Sequence, residues 1–351
     1  MNLTLTHNMK PSYTIKATNK LPNSQVEITI EMPATVLDEY RKKAIVALGK
    51  EVELDGFRKG HVPENILVSK IGEGRILEEA AELALQDVTP AILLDEKMDF
   101  ITRPTVAVTK LALGNPIEFK MTVAVMPEIG LPDYKKIAKE EMAKKDEPIN
   151  VTDEDVEKVI EDIRKRMAPP PEKEGEEPKL PELNEELIKQ LGKFEDVADF
   201  KAKLNENIKQ ERENKQREKK RIGIAEDLVA ESKIDLPEAF VEQEIAIMLA
   251  RFKDDISRMG LKFDEYLKHI KKNEEDLRKD WRVDAEKKAK LELVFVEIAK
   301  KESLKPEEEK VAKETDHLIE HYPTADRDRA RAYIIKQLTQ DLVFEFLENQ
   351  K

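Results

Sequence analysis

Hydrophobic positions in the first 50 residues repeat first with the period of a strand and then with that of a helix. Apolar side chains recur at every second position in Tyr13–Ala17 and in Val26–Ile30, which predicts two half-buried strands. Pro33 can open a helix after them. The apolar face of this helix carries Val36, Leu37, Tyr40, Ala44 and Leu48.

The next part of the chain continues this mixed pattern. Residues 66–71 predict a short helix that the segment 72–74 breaks, and helical spacing resumes from Leu77 to Val88. Alternation returns in residues 105–113 and 117–126 around Gly114-Asn115, which is a hairpin signal. The pattern predicts an α+β domain, an N-terminal antiparallel sheet covered by helices.

A different organisation begins after Pro127–Pro132, a segment rich in proline and glycine. Thr152 and Asp155 are spaced as a helix start, which predicts a helix through about Met167. Residues 168–181 contain five prolines and six charges, so they predict an extended spacer. From Asn184 onward the pattern predicts a mostly α-helical, elongated body with arms.

Some helices of this body carry apolar residues on more than the single face that an ordinary amphipathic helix buries. A long charged helix is predicted over residues 194–232, and another helix presents apolar residues from Val241 to Met259. Around residues 285–298, and again in the last helix, apolar positions occur on two opposite sides. A helix of this kind either lies centrally in its bundle or contacts a partner.

Composition and charge limit the class of protein. The chain has 351 residues, of which 38% are charged and 5% aromatic, and its net charge is −13. An acidic body does not suit general nucleic-acid binding, and the absence of cysteine excludes disulfides and thiolate metal sites. No secretory signal and no apolar run of membrane-spanning length is visible. We therefore predict a cytoplasmic protein with no membrane partner. Residues 1–11 are predicted to be a loose leader.

Sequence motifs for catalysis are nearly absent. His317, Glu320 and His321 match the inverted zinc-protease motif, but the Tyr322-Pro323 pair ends that helix at once. Nucleotide-binding glycine motifs and a cysteine nucleophile are missing. We therefore predict no catalytic residue, no metal and no cofactor, and keep a zinc metallohydrolase as a remote alternative.

One charged run allows two interpretations. Residues 209–221 mix seven cations with three glutamates, which could form an RNA-binding or membrane-binding face. The interleaved acids favour a solvated helix with ion pairs between successive turns.

The stretch Asp55–Pro63 is unusual for a connector. Gly56 and Gly60 allow sharp turns at both ends, which leaves Phe57, Arg58 and Lys59 at the tip of a loop. Small polar residues dominate ordinary turns. The alternative is a surface turn whose phenylalanine folds back into the core.

The sequence motif of this stretch, Gly-Phe-Arg-x-Gly-x-x-Pro, resembles the signature of trigger factor, the bacterial ribosome-associated chaperone. The resemblance covers nearly the whole chain and implies a ribosome-binding domain at residues 12–127 and a C-terminal helical substrate-binding domain at 128–351. It also implies docking to the large ribosomal subunit at the exit tunnel, binding of nascent and unfolded polypeptides, and a possible homodimer off the ribosome. The implied docking residues are Gly56, Phe57, Arg58, Lys59, Gly60 and Pro63.

Candidate client-binding positions come from the apolar helix faces of the body, because a chaperone needs apolar surface that stays accessible. They are Ile245, Met248, Phe252, Met259, Tyr333, Phe344 and Leu347. Half of these positions are expected to be core. A structural scaffold that binds one folded partner is the alternative function.

One departure from the family pattern changes the expected activity. Family members usually carry an FKBP-like prolyl isomerase domain between the connecting helix and the helical body. Here only the proline-rich spacer 168–181 occupies that place, and fourteen residues cannot enclose a pocket. The sequence therefore predicts a chaperone that is not an enzyme.

Overall fold

A computed structural model of the chain describes residues 13–51, 57, 62–96, 98–169 and 180–350. The strands are β1 (Thr14–Leu21), β2 (Gln25–Met32), β3 (Thr105–Lys110), β4 (Ile117–Ala124), β5 (Ile129–Gly130) and β6 (Lys233–Ile234). The helices are α1 (Ala34–Glu51), α2 (Glu64–Ile71), α3 (Glu73–Asp95), α4 (Tyr134–Ala143), α5 (Asp153–Met167), α6 (Glu185–Leu191), α7 (Val197–Glu231), α8 (Glu238–Arg258), α9 (Phe263–His269), α10 (Glu274–Lys301), α11 (Glu308–His321) and α12 (Arg327–Glu348).

The predicted antiparallel sheet is present, with strand order β1-β2-β4-β3. Its two central strands alternate between buried and half-buried residues, and Ile30 of β2 lies opposite Phe119 of β4, both fully buried. The hairpin between β3 and β4 turns at Gly114, whose φ of 72° is a conformation that glycine adopts readily. The α+β class that the sequence predicts is therefore confirmed.

The helices α1 and α3 bury their apolar stripes in the same core as the sheet. The expected break at residues 72–74 is shorter than predicted. Gly72 alone interrupts the helices, with a φ of 88°, and α3 begins at Glu73 and includes Gly74. A single left-handed glycine is enough to end α2 because it reverses the backbone direction without a Cβ clash.

The Cα positions divide the chain into two compact units. The first, called here the head unit, contains residues 1–130 and 233–293; the second, called the body unit, contains residues 131–232 and 294–351. The head unit holds the sheet domain together with α8, α9 and the N-terminal part of α10, which we call the first arm. Separate small cores stabilise the first arm, one around Val241, Ile245 and Ala285 and one around Leu249, Leu267 and Leu277.

The body unit contains the predicted helix start at Thr152. Its side chain and that of Asp155 form a reciprocal capping box, so the sequence signal is confirmed in detail. The long helix α7 begins at Val197, three residues later than predicted, because Asp196 caps its N-terminus. Phe194 lies outside the helix, with its ring 5.0 Å from that of Phe200. Of the predicted spacer 168–181, residues 170–179 lie outside the described part of the chain.

The basic run in α7 is used for ion pairs within the body unit. Arg212 lies 2.9 Å from Asp155, and Lys220 lies 2.7 Å from Asp146. Arg217 and Arg221 both contact Glu348 near the C-terminal end of α12. The i,i+4 pairs that the sequence favoured are present between Lys209 and Glu213 and between Lys215 and Glu211, and the longer-range contacts add pairing with other elements that the sequence did not predict.

Candidate functional site

The predicted docking loop is described only in part. Gly56, Arg58, Lys59 and Gly60 lie outside the described residues. Phe57 is described and is 36% exposed. Its ring therefore keeps surface that a partner could cover, as the loop-tip interpretation requires.

Pro63 ends the loop at the start of α2. Its φ of −60° and ψ of 142° are extended values typical of a residue that precedes a helix. Two backbone amides of the first turn of α2, those of Ile66 and Leu67, donate to the Pro63 carbonyl at 3.1 and 3.0 Å. Pro63 thus fixes where the loop ends.

Arg41 of α1 holds the two helices that follow the loop. Its guanidinium donates to both carboxylate oxygens of Glu73 at 2.5 and 3.0 Å, and to Glu64 at 2.9 Å. Glu64 and Glu73 lie in the first turns of α2 and α3, and the Arg41 side chain is only 18% exposed. The hydrogen bonds from Arg41 hold the pKa of Glu73 below its usual value. The loop therefore leads into two helices, α2 and α3, whose first turns are both held by one half-buried cation, a role that the sequence analysis missed.

The candidate client-binding residues divide by burial. Ile245 is buried against Val241 and Ala285, and Leu347 of α12 is also fully buried. These two residues belong to the core, so they are not part of the accessible surface that the client-binding hypothesis requires. Their helical spacing was predicted, but spacing alone does not say which face another helix covers.

Two candidates remain clearly exposed. Met259 at the end of α8 is 70% exposed, and Tyr333 of α12 is 46% exposed. The first belongs to the head unit and the second to the body unit. Each side chain therefore keeps apolar surface that other residues do not cover.

Three candidates are half-buried and make aromatic or apolar contacts. Met248 packs at the edge of the core around Ile245. Phe252 makes edge-to-face contacts with Phe263, Tyr266 and Trp281, with ring centres 5.4–6.2 Å apart. Phe344 stacks on Phe295 at 4.9 Å.

Sequence reasoning missed further exposed apolar residues. Outside the sheet domain they include Leu261 and Val283 in the head unit, and Ile222, Val296 and Tyr322 in the body unit. Leu261 follows Gly260, whose φ of 76° terminates the turn after α8. The sequence carries no signal of this exposure, because an apolar residue after such a glycine usually packs on the last turn of the helix.

The zinc motif is not assembled into a metal site. His317 and His321 stack edge to face with ring centres 4.7 Å apart on α11, which ends at His321. Within the described residues, no three His, Cys, Asp or Glu side chains form a group that could hold a metal ion. Likewise, no helix in the described part is long and apolar enough to cross a bilayer.

A shallow groove of about 780 Å³ lies between α3 and β3. Leu85 lines one wall, and Val106 and Val108 line the other. None of its lining side chains is aromatic.

Family models match most of the chain. The model for the bacterial trigger factor protein matches residues 14–163, and the model for the trigger factor C-terminus matches residues 196–351. Residues 164–195, which include the spacer, lie between the two matched regions.

Individual relatives have low identity, but the similarity extends over most of each chain. The trigger factor of Halalkalibacterium halodurans is 24% identical, over 86% of this chain and 89% of that protein. The trigger factor of Agathobacter rectalis is 23% identical, over 93% of this chain and 94% of that protein. A solved structure of the trigger factor chaperone, reported for promiscuous substrate recognition in folding and assembly activities, superposes with a TM-score of 0.55 at 19% identity. It covers 96% of this chain and 100% of that one, which shows a shared fold.

Proposed function

Because this chain belongs to the trigger factor family of ribosome-associated chaperones, we propose that it docks at the exit tunnel through the loop Gly56–Pro63 and holds nascent chains on its helices. Residues 12–127 are the proposed ribosome-binding domain. Residues 128–351 are the proposed client-binding domain, with the spacer at 168–181. Docking at this site would place the protein in the cytoplasm.

The observation that carries the docking proposal is the partly exposed Phe57, in a loop whose residues match the family signature. An aromatic ring with two adjacent cations suits a surface that combines an apolar groove with acidic groups or phosphates. Arg41 supports this role because it fixes the helices that follow the loop.

Client holding is proposed to use exposed apolar side chains in both units. Met259 and Tyr333 are the best candidates, and Met248, Phe252 and Phe344 contribute partly exposed edges. Methionine and aromatic side chains adapt to varied apolar partners, so they suit a chaperone that binds without sequence specificity. Self-association off the ribosome would cover the same side chains.

The variants Met259→Glu and Tyr333→Glu are each expected to suppress the aggregation of an unfolded client less well than the natural chain does. Each change places a charge where apolar contact is needed. The melting temperature should stay nearly unchanged, since exposed substitutions usually alter stability by about 0.5 kcal/mol or less. Matched controls are Ser257→Glu and Ala332→Glu, which add the same charge at exposed neighbours.

A second control tests the division by burial. Ile245→Ala should cost about 2–5 kcal/mol of stability because it opens a cavity in the core of the first arm. If the Met259 and Tyr333 variants lower stability as much as Ile245→Ala does, these residues are core and the proposed client surface is wrong.

We also propose that the chain lacks prolyl isomerase activity. Rotation about a prolyl bond crosses a barrier of about 18–20 kcal/mol, so catalysis needs an enclosed site around the bond. Only residues 164–195 separate the two family matches. The alignment with the H. halodurans relative extends over 389 positions, more than the 351 residues of this chain, so that relative contains additional residues.

The refolding rate of a protein limited by a slow prolyl step is expected to stay unchanged when this chain is added. The reason is that the aromatic side chains described above pack singly or in helix-core contacts and do not enclose a pocket. A family member that carries the FKBP-like domain serves as the positive control. Saturable acceleration that an FKBP-pocket inhibitor abolishes would show that the chain is an isomerase.

A further inference from the structure

The turn between β1 and β2 is held by a residue more than two hundred positions away. The backbone amides of Asn23 and Ser24 donate to the two carboxylate oxygens of Asp235, at 2.9 and 2.6 Å. The Ser24 hydroxyl donates to the Asp235 carbonyl oxygen at 2.6 Å. One aspartate therefore receives three hydrogen bonds from a single turn.

The backbone of this turn explains why a carboxylate fits. Asn23 and Ser24 have φ values of 61° and 48°, in the left-handed region that serine seldom adopts. In turns of this kind successive amides can point to one side and form a concave site for an anion. The Asp235 carboxylate occupies that site and compensates the unfavourable backbone conformation.

A second contact reinforces the first at the same junction. β5 follows the sheet domain and pairs antiparallel with β6, which ends directly before Asp235 and leads into α8. The approach is close at Gly130, where an added Cβ would lie 3.1 Å from the Cβ and carbonyl oxygen of Lys233. The exit of the sheet domain and the entry of the first arm are thus joined side by side.

We propose that Asp235 is a positioning residue that locks the first arm onto the β1–β2 turn, so that a client held at Met259 keeps a fixed position relative to the sheet domain. The lock follows from the geometry of the junction; its effect on clients rests on the proposed function. All three hydrogen bonds lie at exposed positions. Water can therefore hydrate the two backbone amides when the Asp235 carboxylate is removed, so a variant without it can still fold.

The absence of cysteine from the natural sequence allows a direct measurement of the lock. Spin labels on Thr18→Cys in β1 and Lys268→Cys in α9, both exposed, report the distance between sheet domain and first arm. The full-length chain should give one narrow distance distribution. In Asp235→Ala the narrow peak should be replaced by a broad distance distribution. Asp235→Asn keeps one acceptor oxygen without the charge, so its distribution should be narrower than that of Asp235→Ala. Asp255→Ala, an exposed aspartate of α8, is the control and should leave it unchanged.

An unchanged distribution in Asp235→Ala would overturn the lock. The link to chaperone function is tested with the same variant in a translation reaction. There, Asp235→Ala should protect a ribosome-bound nascent chain less well, while suppression of aggregation away from ribosomes is retained. A released arm with full protection on the ribosome would overturn the positioning role. That result leaves the proposed function intact, because the Met259 and Tyr333 variants test it separately.

Discussion

Alanine at Phe57, Arg58 and Lys59 together is expected to reduce ribosome affinity by thirtyfold or more. Buried aromatic and arginine anchors commonly cost about 2 kcal/mol or more on truncation, and 2 kcal/mol corresponds to about a thirtyfold change in the dissociation constant. Co-sedimentation with ribosomes across a series of salt concentrations measures the loss. The salt dependence should also become weaker, because two of the three removed groups are cations.

The chain offers a matched control for this triple substitution. Lys42, Val46 and Lys50 lie at successive turns on the exposed face of α1 and combine one apolar residue with two cations. Alanine at these three positions should leave ribosome affinity nearly unchanged. Equal losses in the two triple variants would show that general charge, not the loop, binds the ribosome. Unchanged co-sedimentation of the loop variant would contradict the docking proposal directly.

Much of the fold could be predicted because its signals are local in sequence. The alternation in β2 and β4, the capping box at Thr152 and the helix-ending Gly72 each depend on residues only a few positions apart. Local geometry fixes such features whatever the rest of the chain does. The family signature around Phe57 is equally local, and it indicated the proposed docking loop.

Burial on two-sided helices could not be predicted in the same way. The sequence placed Ile245 and Met259 on one face of α8, yet the first is core and the second is 70% exposed. Periodicity defines which residues share a face, but the length of the partner helix decides how far along that face burial extends. In α10 buried residues occur on both apolar sides, as Leu293 and Phe295 show, whereas Val296 on the same helix is 55% exposed.

Contacts between distant residues were beyond the reach of sequence reasoning. Asp235 meets the β1–β2 turn across 211 and 212 positions, and Arg217 meets Glu348 across 131. Acidic and basic residues are so frequent in this chain that no single pair stands out. The tertiary fold selects which pairs form, and these selected pairs hold separate helices together.

The contact of Glu348 with α7 leads to the second large expected effect. Arg217 donates to both of its carboxylate oxygens at 2.9 and 2.5 Å, and Arg221 donates at 2.6 and 3.3 Å. The Glu348 side chain is only 10% exposed. Burial by itself raises the pKa of Glu348, but the hydrogen bonds and charges of the two arginines outweigh it and lower the pKa to about 2.

This pKa makes part of the stability dependent on pH. Relative to the ordinary value of 4.5, the shift corresponds to about 3 kcal/mol, and water around the half-exposed Arg217 reduces the contribution to about 2 kcal/mol. Because the folded-state pKa is the lower one, the contribution is complete above about pH 5 and is lost as the pH falls toward 2. Lowering the pH over this interval should weaken the attachment of α12 to α7.

Glu348→Gln is therefore expected to lower the free energy of unfolding by about 2 kcal/mol at pH 7, because it removes the charge that pairs with both arginines. Urea unfolding followed by circular dichroism at a series of pH values measures the effect. The variant should also show a flatter decline in stability between pH 5 and pH 2 than the natural chain. Glu309→Gln, at an exposed position of α11, is the control and should keep both properties. Equal acid sensitivity in the natural chain and in Glu348→Gln would mean that other carboxylates carry the pH dependence and that Glu348 does not anchor the C-terminal helix.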